Sequence, residues 1–179
     1  MLRYILILLC GTILITSCAP TESSVSVDNP LTLTIDPEQQ TYHLGEKIFV
    51  NLTLTNTGDE QLLVYGRMIF VTFPSLPEFS MGEIIVLDPT HKIISYKGEA
   101  NIDWLPRKEN FLILKLSESV TKQSYIWDSE DYDQPGIYTL KAIYRNSFDP
   151  SDVFKNSDDT RKAWKGEVVS SSTTFEILP

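Results

Sequence analysis

The sequence is short of sulfur, of histidine and of positive charge. Two cysteines cannot build a dense disulfide framework, and two histidines leave little for histidine-based catalysis or zinc ligation. Lys and Arg number 15 against 24 Asp and Glu, giving a formal net charge of -9 and a pI near 4.7. Phosphate is bound by Lys and Arg and opposed by carboxylates, so nucleic acid is excluded as a partner. No apolar run reaches the roughly 20 residues of a membrane-spanning helix. Catalytic signatures are missing too: there is no Gly-x-Ser-x-Gly elbow, no His-Glu-x-x-His and no phosphate-binding glycine loop. The expectation is a protein that is not an enzyme and carries no cofactor.

What is present is ordinary for a folded chain: 42% hydrophobic and 22% charged residues over a length of 179, which suits one domain. The first residues are distinctive. Met1-Leu2-Arg3 supplies one charge, Tyr4 to Ile15 is mostly apolar, and Thr16-Ser17-Cys18 closes the run, as in a secretory signal. Ile15-Thr16-Ser17-Cys18 resembles the lipobox of bacterial lipoproteins, departing only in Ile15, where Leu is commoner. That resemblance implies a signal peptide over 1–17, removed before Cys18, and a Cys18 carrying a diacylglyceryl group and an amide-linked acyl chain such as palmitate. The alternatives are an ordinary signal peptide cut near Ser17 and an uncleaved anchor. Each acyl CH₂ buried in lipid contributes about 0.8 kcal/mol and stable attachment takes two or more chains, so the membrane is the expected partner of Cys18.

Several expectations follow from that processing. Cys10 leaves with the signal peptide and no disulfide is available. Loss of Arg3 leaves 14 Lys and Arg against 24 acids, a charge of -10, so anionic lipid repels the domain and the acyl chains provide the attachment. The expected location is the cell membrane or outer membrane, facing outside the cytoplasm. Ala19 stands where some double-membrane bacteria place an Asp to retain lipoproteins in the inner membrane, which favours the outer one.

Residues 18–30 read as acylated Cys18 and a flexible tether rich in Ser, Pro and acids. The domain then covers 31–179 and alternates with period two. Leu31, Leu33 and Ile35 form one apolar face, and Ile48, Val50, Leu52 and Leu54 another, separated by a turn at Tyr-His-Leu-Gly and closed by Asn56-Thr57-Gly58-Asp59. Further strands are expected over 62–65, 69–73, 84–87, 93–96, 111–116, 124–127, 137–145 and 173–178. Helical periodicity is absent. The fold class is therefore all-β, an antiparallel sandwich, with an extra hairpin over 84–96 accounting for its size.

Pro135-Gly136 followed by Tyr138, Leu140, Ala142 and Tyr144 on one face resembles strand F of immunoglobulin-like domains. Tyr138 matches the tyrosine corner and Leu140 stands where antibodies have a cysteine. Leu44-Gly45-Glu46 and the hairpin after it resemble the opening of BsuPI-type proteinase-inhibitor and macroglobulin-like domains, and the stretch from Trp164 to Phe175-Glu-Ile resembles their closing strand. These are fold-level likenesses.

Candidate sites each have a bland alternative. Asp128, Glu130, Asp131 and Asp133 are dense enough in oxygen for Ca²⁺, but they lack EF-hand spacing and also read as a solvated loop. Asp149, Asp152, Asp158 and Asp159 would strengthen that reading if they converged on the same end. Trp104 and Trp164 are candidate sugar or peptide platforms, or else plugs over a sandwich end. His43 and His91 are isolated turn histidines. The expected function is a monomeric, lipid-anchored module binding an envelope protein or polymer. A BsuPI-like proteinase inhibitor is the second reading, and an enzyme with a hidden carboxylate and histidine site the third.

Overall fold

The computed structural model describes residues 29–66, 82–94, 108–126, 132, 134–153 and 160–179. Among these the regular secondary structure is almost entirely β-strand. Sheet A has the order β1 (Leu31–Pro37), β3 (Phe49–Asn56), β7 (Ser119–Tyr125), all antiparallel. Sheet B runs β2 (Thr41–His43), β10 (Thr173–Leu178), β8 (Gly136–Asn146), β5 (Gly82–Leu87), with β9 (Gly166–Val169) also on β8. Among the described strands only β2 and β10 pair in parallel. A two-stranded ribbon, β4 (Leu62–Tyr65) with β6 (Phe111–Leu114), completes the described architecture. Helix is confined, among the described residues, to the turn α1 (Pro150–Val153) and a 3-10 turn at Lys108–Asn110.

β1 packs against β8, β9 and β10, so sheets A and B form the two layers of an immunoglobulin-like sandwich. The alternation read from sequence decides which side of each strand faces inward. Leu33, Ile35, Val50, Leu52 and Leu54 from sheet A meet Val86, Leu140, Ala142, Tyr144 and Ile177 from sheet B, each at most 4% exposed. Burial of such apolar area, at about 25 cal/mol per Å², is the main favourable contribution to folding. Tyr138 forms the expected corner: its hydroxyl donates to the Gln134 carbonyl at 2.7 Å, and its ring stacks on Phe175 at 5.4 Å.

Two clips join the ribbon to the sandwich. Tyr144 Oη accepts from the Tyr65 N–H at 3.1 Å and donates to the Tyr65 carbonyl at 3.0 Å, and burial pushes its pKa well above that of a free tyrosine. Asn56, fully buried at the end of β3, donates through Nδ2 to the Glu60 and Leu114 carbonyls at 2.7 and 3.0 Å, and its Oδ1 accepts from the Gly58 N–H.

β9 and β10 are one strand interrupted by a bulge. The pairing Ile143↔Val169 gives way to Leu140↔Thr173, three steps along β8 against four on the other side. Ser170 covers the interruption: its N–H donates to the Ala142 carbonyl at 2.9 Å, and its Oγ accepts from the Ala142 N–H at 2.8 Å. A side chain thus satisfies a buried donor that the bulge would otherwise leave without a ladder partner.

Some expectations are corrected. Tyr42 and His43, the first half of the expected Tyr-His-Leu-Gly turn, belong instead to a short strand, Thr41–His43, in which only Tyr42 points inward, too brief to show a period; the turn itself falls at Leu44-Gly45. The strand expected over 124–127 begins at Ser119. Val120, Lys122 and Ser124 stand opposite the inward positions Leu54, Leu52 and Val50, and one apolar residue in three gives no alternation. The hairpin expected over 84–96 is seen through its turn: Asp88 Oδ1 accepts from the N–H groups of Thr90 and Lys92, and Ile94 N–H donates to Val86 at 2.9 Å. Its first strand, β5, is also an integral partner of β8, while Ser95 and Tyr96 lie outside the described residues. So do residues 69–73. Asn29 and Pro30, assigned to the tether by composition, are bound to the domain: Asn29 Nδ2 donates to Glu167 O at 3.0 Å, and Pro30 O accepts from Thr57 N–H at 2.8 Å.

Candidate functional site

Most sequence-level candidates lie outside the described residues: Cys18, Trp104, and the whole group Asp128, Glu130, Asp131 and Asp133, together with Asp158 and Asp159. The others have definite places. Trp164 is half-buried, its ring stacked on Tyr144 at 5.8 Å and 22°, and its backbone N–H donates to Leu63 O at 2.7 Å. It covers the junction of sheet B and the ribbon, which matches the plug and leaves little ring for a ligand.

Asp149 and Asp152 organise the loop before Trp164. Asp149 precedes α1, Pro150 opens the turn, and Asp152 Oδ2 accepts from the Asp149 N–H at 2.7 Å, one half of a capping box. The Asp149 carboxylate, with its side chain 6% exposed, accepts from the Ala163 N–H at 2.8 Å and from Lys165 and Lys162 at 3.0 and 3.2 Å. The Ala163 N–H first, then Lys165 and Lys162, hold its pKa down at about 2. Asp152 is lowered by the Asp149 N–H and then by Lys165. Both carboxylates are therefore committed to loop structure and cations of the chain itself. Among the described residues no group of three or more His, Cys, Asp or Glu is placed to hold a metal ion.

The histidines are not brought together. His43 ends β2 and its Nδ1 lies 3.2 Å from the Pro179 carbonyl, whereas His91 sits in the turn after β5 with φ of 64°. β2 and β5 are opposite edges of sheet B, three strand spacings or about 14 Å apart.

The best-formed surface is one that periodicity alone marked only as turned toward water: the outer face of sheet A. Register stacks its side chains in rows across three strands. Thr32, Thr55 and Ser119 form one row, Thr34, Thr53 and Thr121 the next, and Asp36, Asn51 and Gln123 a third. Phe49 and Tyr125 form a fourth, ring centroids 5.4 Å apart, with Lys47 Nζ 5.7 Å from the Tyr125 centroid. Thr53 and Thr121 share a hydroxyl hydrogen bond of 2.9 Å, and Thr55 and Ser119 one of 2.8 Å. Rows about 6.7 Å apart on strands about 4.8 Å apart make an area of about 20 by 10 Å. Its charges, among the described residues, are Asp36, Glu38 and Lys47, all toward the aromatic end. The sequence signal was the run of Thr and Asn at outward positions of β1 and β3; β7 could not be aligned with them before its register was known.

No family model matches the chain, and a search of curated proteins gives no match. Among solved structures the chain is similar to a β-glucosidase from Erythrobacter marinus at 14% identity and a TM-score of 0.39, spanning 83% of this chain and 15% of the enzyme. It is similar as well to the CARDB domain of PF1109 from Pyrococcus furiosus, a structure in complex with di-metal ions, at 10% identity and a TM-score of 0.36, covering 83% of this chain and 87% of that one. Neither likeness carries an argument about activity.

Proposed function

We propose that this chain is a lipid-anchored, extracytoplasmic binding module of the cell envelope, without catalysis, whose ligand lies on the outer face of sheet A. The observation that carries the binding role is the alignment of hydroxyl, amide and aromatic side chains in rows across β1, β3 and β7. Rigid strands hold these groups, so little conformational entropy is lost on binding. The anchor is read from Ile15-Thr16-Ser17-Cys18. Two acyl chains suffice for stable membrane attachment, and residues 19–28 form the spacer.

The non-catalytic reading is supported by how the described titratable groups are used. Asp149 and Asp152 close a loop, Tyr144 clips two sheets, and His43 and His91 occupy opposite edges of sheet B. None of these gives a nucleophile or base facing a shared space with an acid. A photo-reactive side chain placed at residue 121, compared with one at residue 141 on the other side of the sandwich, tests the binding face. Adducts in intact cells are expected from 121.

A further inference from the structure

We propose that the outer face of sheet A binds an uncharged polysaccharide, with sugar rings packed on the Phe49–Tyr125 pair and their hydroxyls held by the row Asp36, Asn51, Gln123. The inference deepens the binding-module reading and rests on it.

Three observations select this ligand. The first is hydrogen-bonding type. A sugar hydroxyl both donates and accepts. The face offers groups that match: Asn and Gln amides with a donor beside an acceptor, and Thr and Ser hydroxyls that do either. The second is the aromatic pair. Tyr125 is 37% exposed and lies next to Phe49 at the end of the amide row, so a ring whose C–H groups lie on Tyr125 brings its hydroxyls toward Gln123 and Asn51. The third is charge. The whole chain carries -9, and on this face the carboxylates Asp36 and Glu38 outnumber the one cation, Lys47, which lies over the Tyr125 ring. Carboxylates accept bonds from neutral sugar hydroxyls but repel uronates, sulfates and phosphates, so the polymer is uncharged.

The same features disfavour a protein partner. Protein interfaces depend on a desolvated core enriched in aromatic, Met and Arg side chains, whereas two of the four rows here are hydroxyl only. An extended polymer needs no such core, and a flat surface about 20 Å long offers it several successive contacts.

The test uses the full chain in mild detergent, mixed with insoluble cellulose, chitin and curdlan, with soluble polygalacturonate as anionic competitor. Retention is expected on at least one of the three solids and is not displaced by polygalacturonate. Tyr125→Ala and Gln123→Ala are each expected to weaken it about tenfold, equivalent to about 1.4 kcal/mol. Tyr125→Phe keeps the ring and retains binding, and Lys141→Ala on the opposite face changes nothing. Equal thermal midpoints for all variants separate lost binding from lost folding. No retention on any of the solids, equal retention by Tyr125→Ala, or displacement by polygalacturonate overturns the inference. If retention fails but adducts still form from residue 121 in cells, the glycan inference alone falls; if both fail, the binding-module reading falls with it.

Discussion

Replacing Ser170 with Ala should destabilise the domain far more than its size suggests. The hydroxyl oxygen is the acceptor for the Ala142 N–H at 2.8 Å, and both residues are buried, Ser170 at 4% and Ala142 at 0% exposure. Removing the oxygen leaves a buried donor with no partner, which costs about 1–3 kcal/mol. The β9–β10 bulge prevents a backbone carbonyl from taking over, because the chain is one residue out of step there. We take about 2 kcal/mol, which for a domain of this length lowers Tm by about 4–8 °C. Urea unfolding followed by circular dichroism measures it, as a lower midpoint at unchanged slope. Ser171→Ala and Ser172→Ala, at exposed neighbours, should stay within about 0.5 kcal/mol of the wild type. Equal stability of Ser170→Ala and wild type would refute the reasoning, as would an equal loss in either neighbour.

Two further outcomes are expected. Asp149 has a folded pKa of about 2, below its ordinary value of 3.8, so its stabilisation is present above about pH 4 and is lost as pH falls toward 2. Asp149→Asn should therefore be less stable than wild type at pH 7, by about 2 kcal/mol if the Ala163 bond is lost, with the gap closing between pH 4 and 2; acid titrations of the two proteins measure this, and a constant gap would count against it. Cys18→Ser should move the protein from the membrane to the soluble fraction and abolish incorporation of labelled palmitate; continued labelling would rule out Cys18 as the acceptor.

How much of this was legible in the sequence depends on where side chains face. β1, β3 and β8 each bury alternate residues, so hydrophobic periodicity located them, and Tyr138 marked the corner because its hydrogen bond to Gln134 is local. Most of β7, all but its end at 124–125, escaped because it is an edge strand with Lys122 and Ser124 at inward-facing positions, where an edge lets polar side chains reach water. β2 was hidden by brevity, and the Ser170 bulge by the fact that a hydroxyl replacing a carbonyl has no pattern of its own. The candidate face was invisible for a different reason. Its rows join residues near 34, 53 and 121, and only the pairing register, a tertiary property, brings them together. Conversely Trp164, prominent in sequence as a lone tryptophan in a polar stretch, stacks on Tyr144.

The proposed binding role puts the ligand on sheet A and not on sheet B. Photo-cross-linking in intact cells measures that most directly, with the reactive side chain at Thr121 on the outer face of sheet A or at Lys141 on the outer face of sheet B, both exposed. High-mass adducts are expected from position 121, suppressed by Tyr125→Ala, and none from 141. Adducts from 141 alone, or equally from both positions, would contradict it.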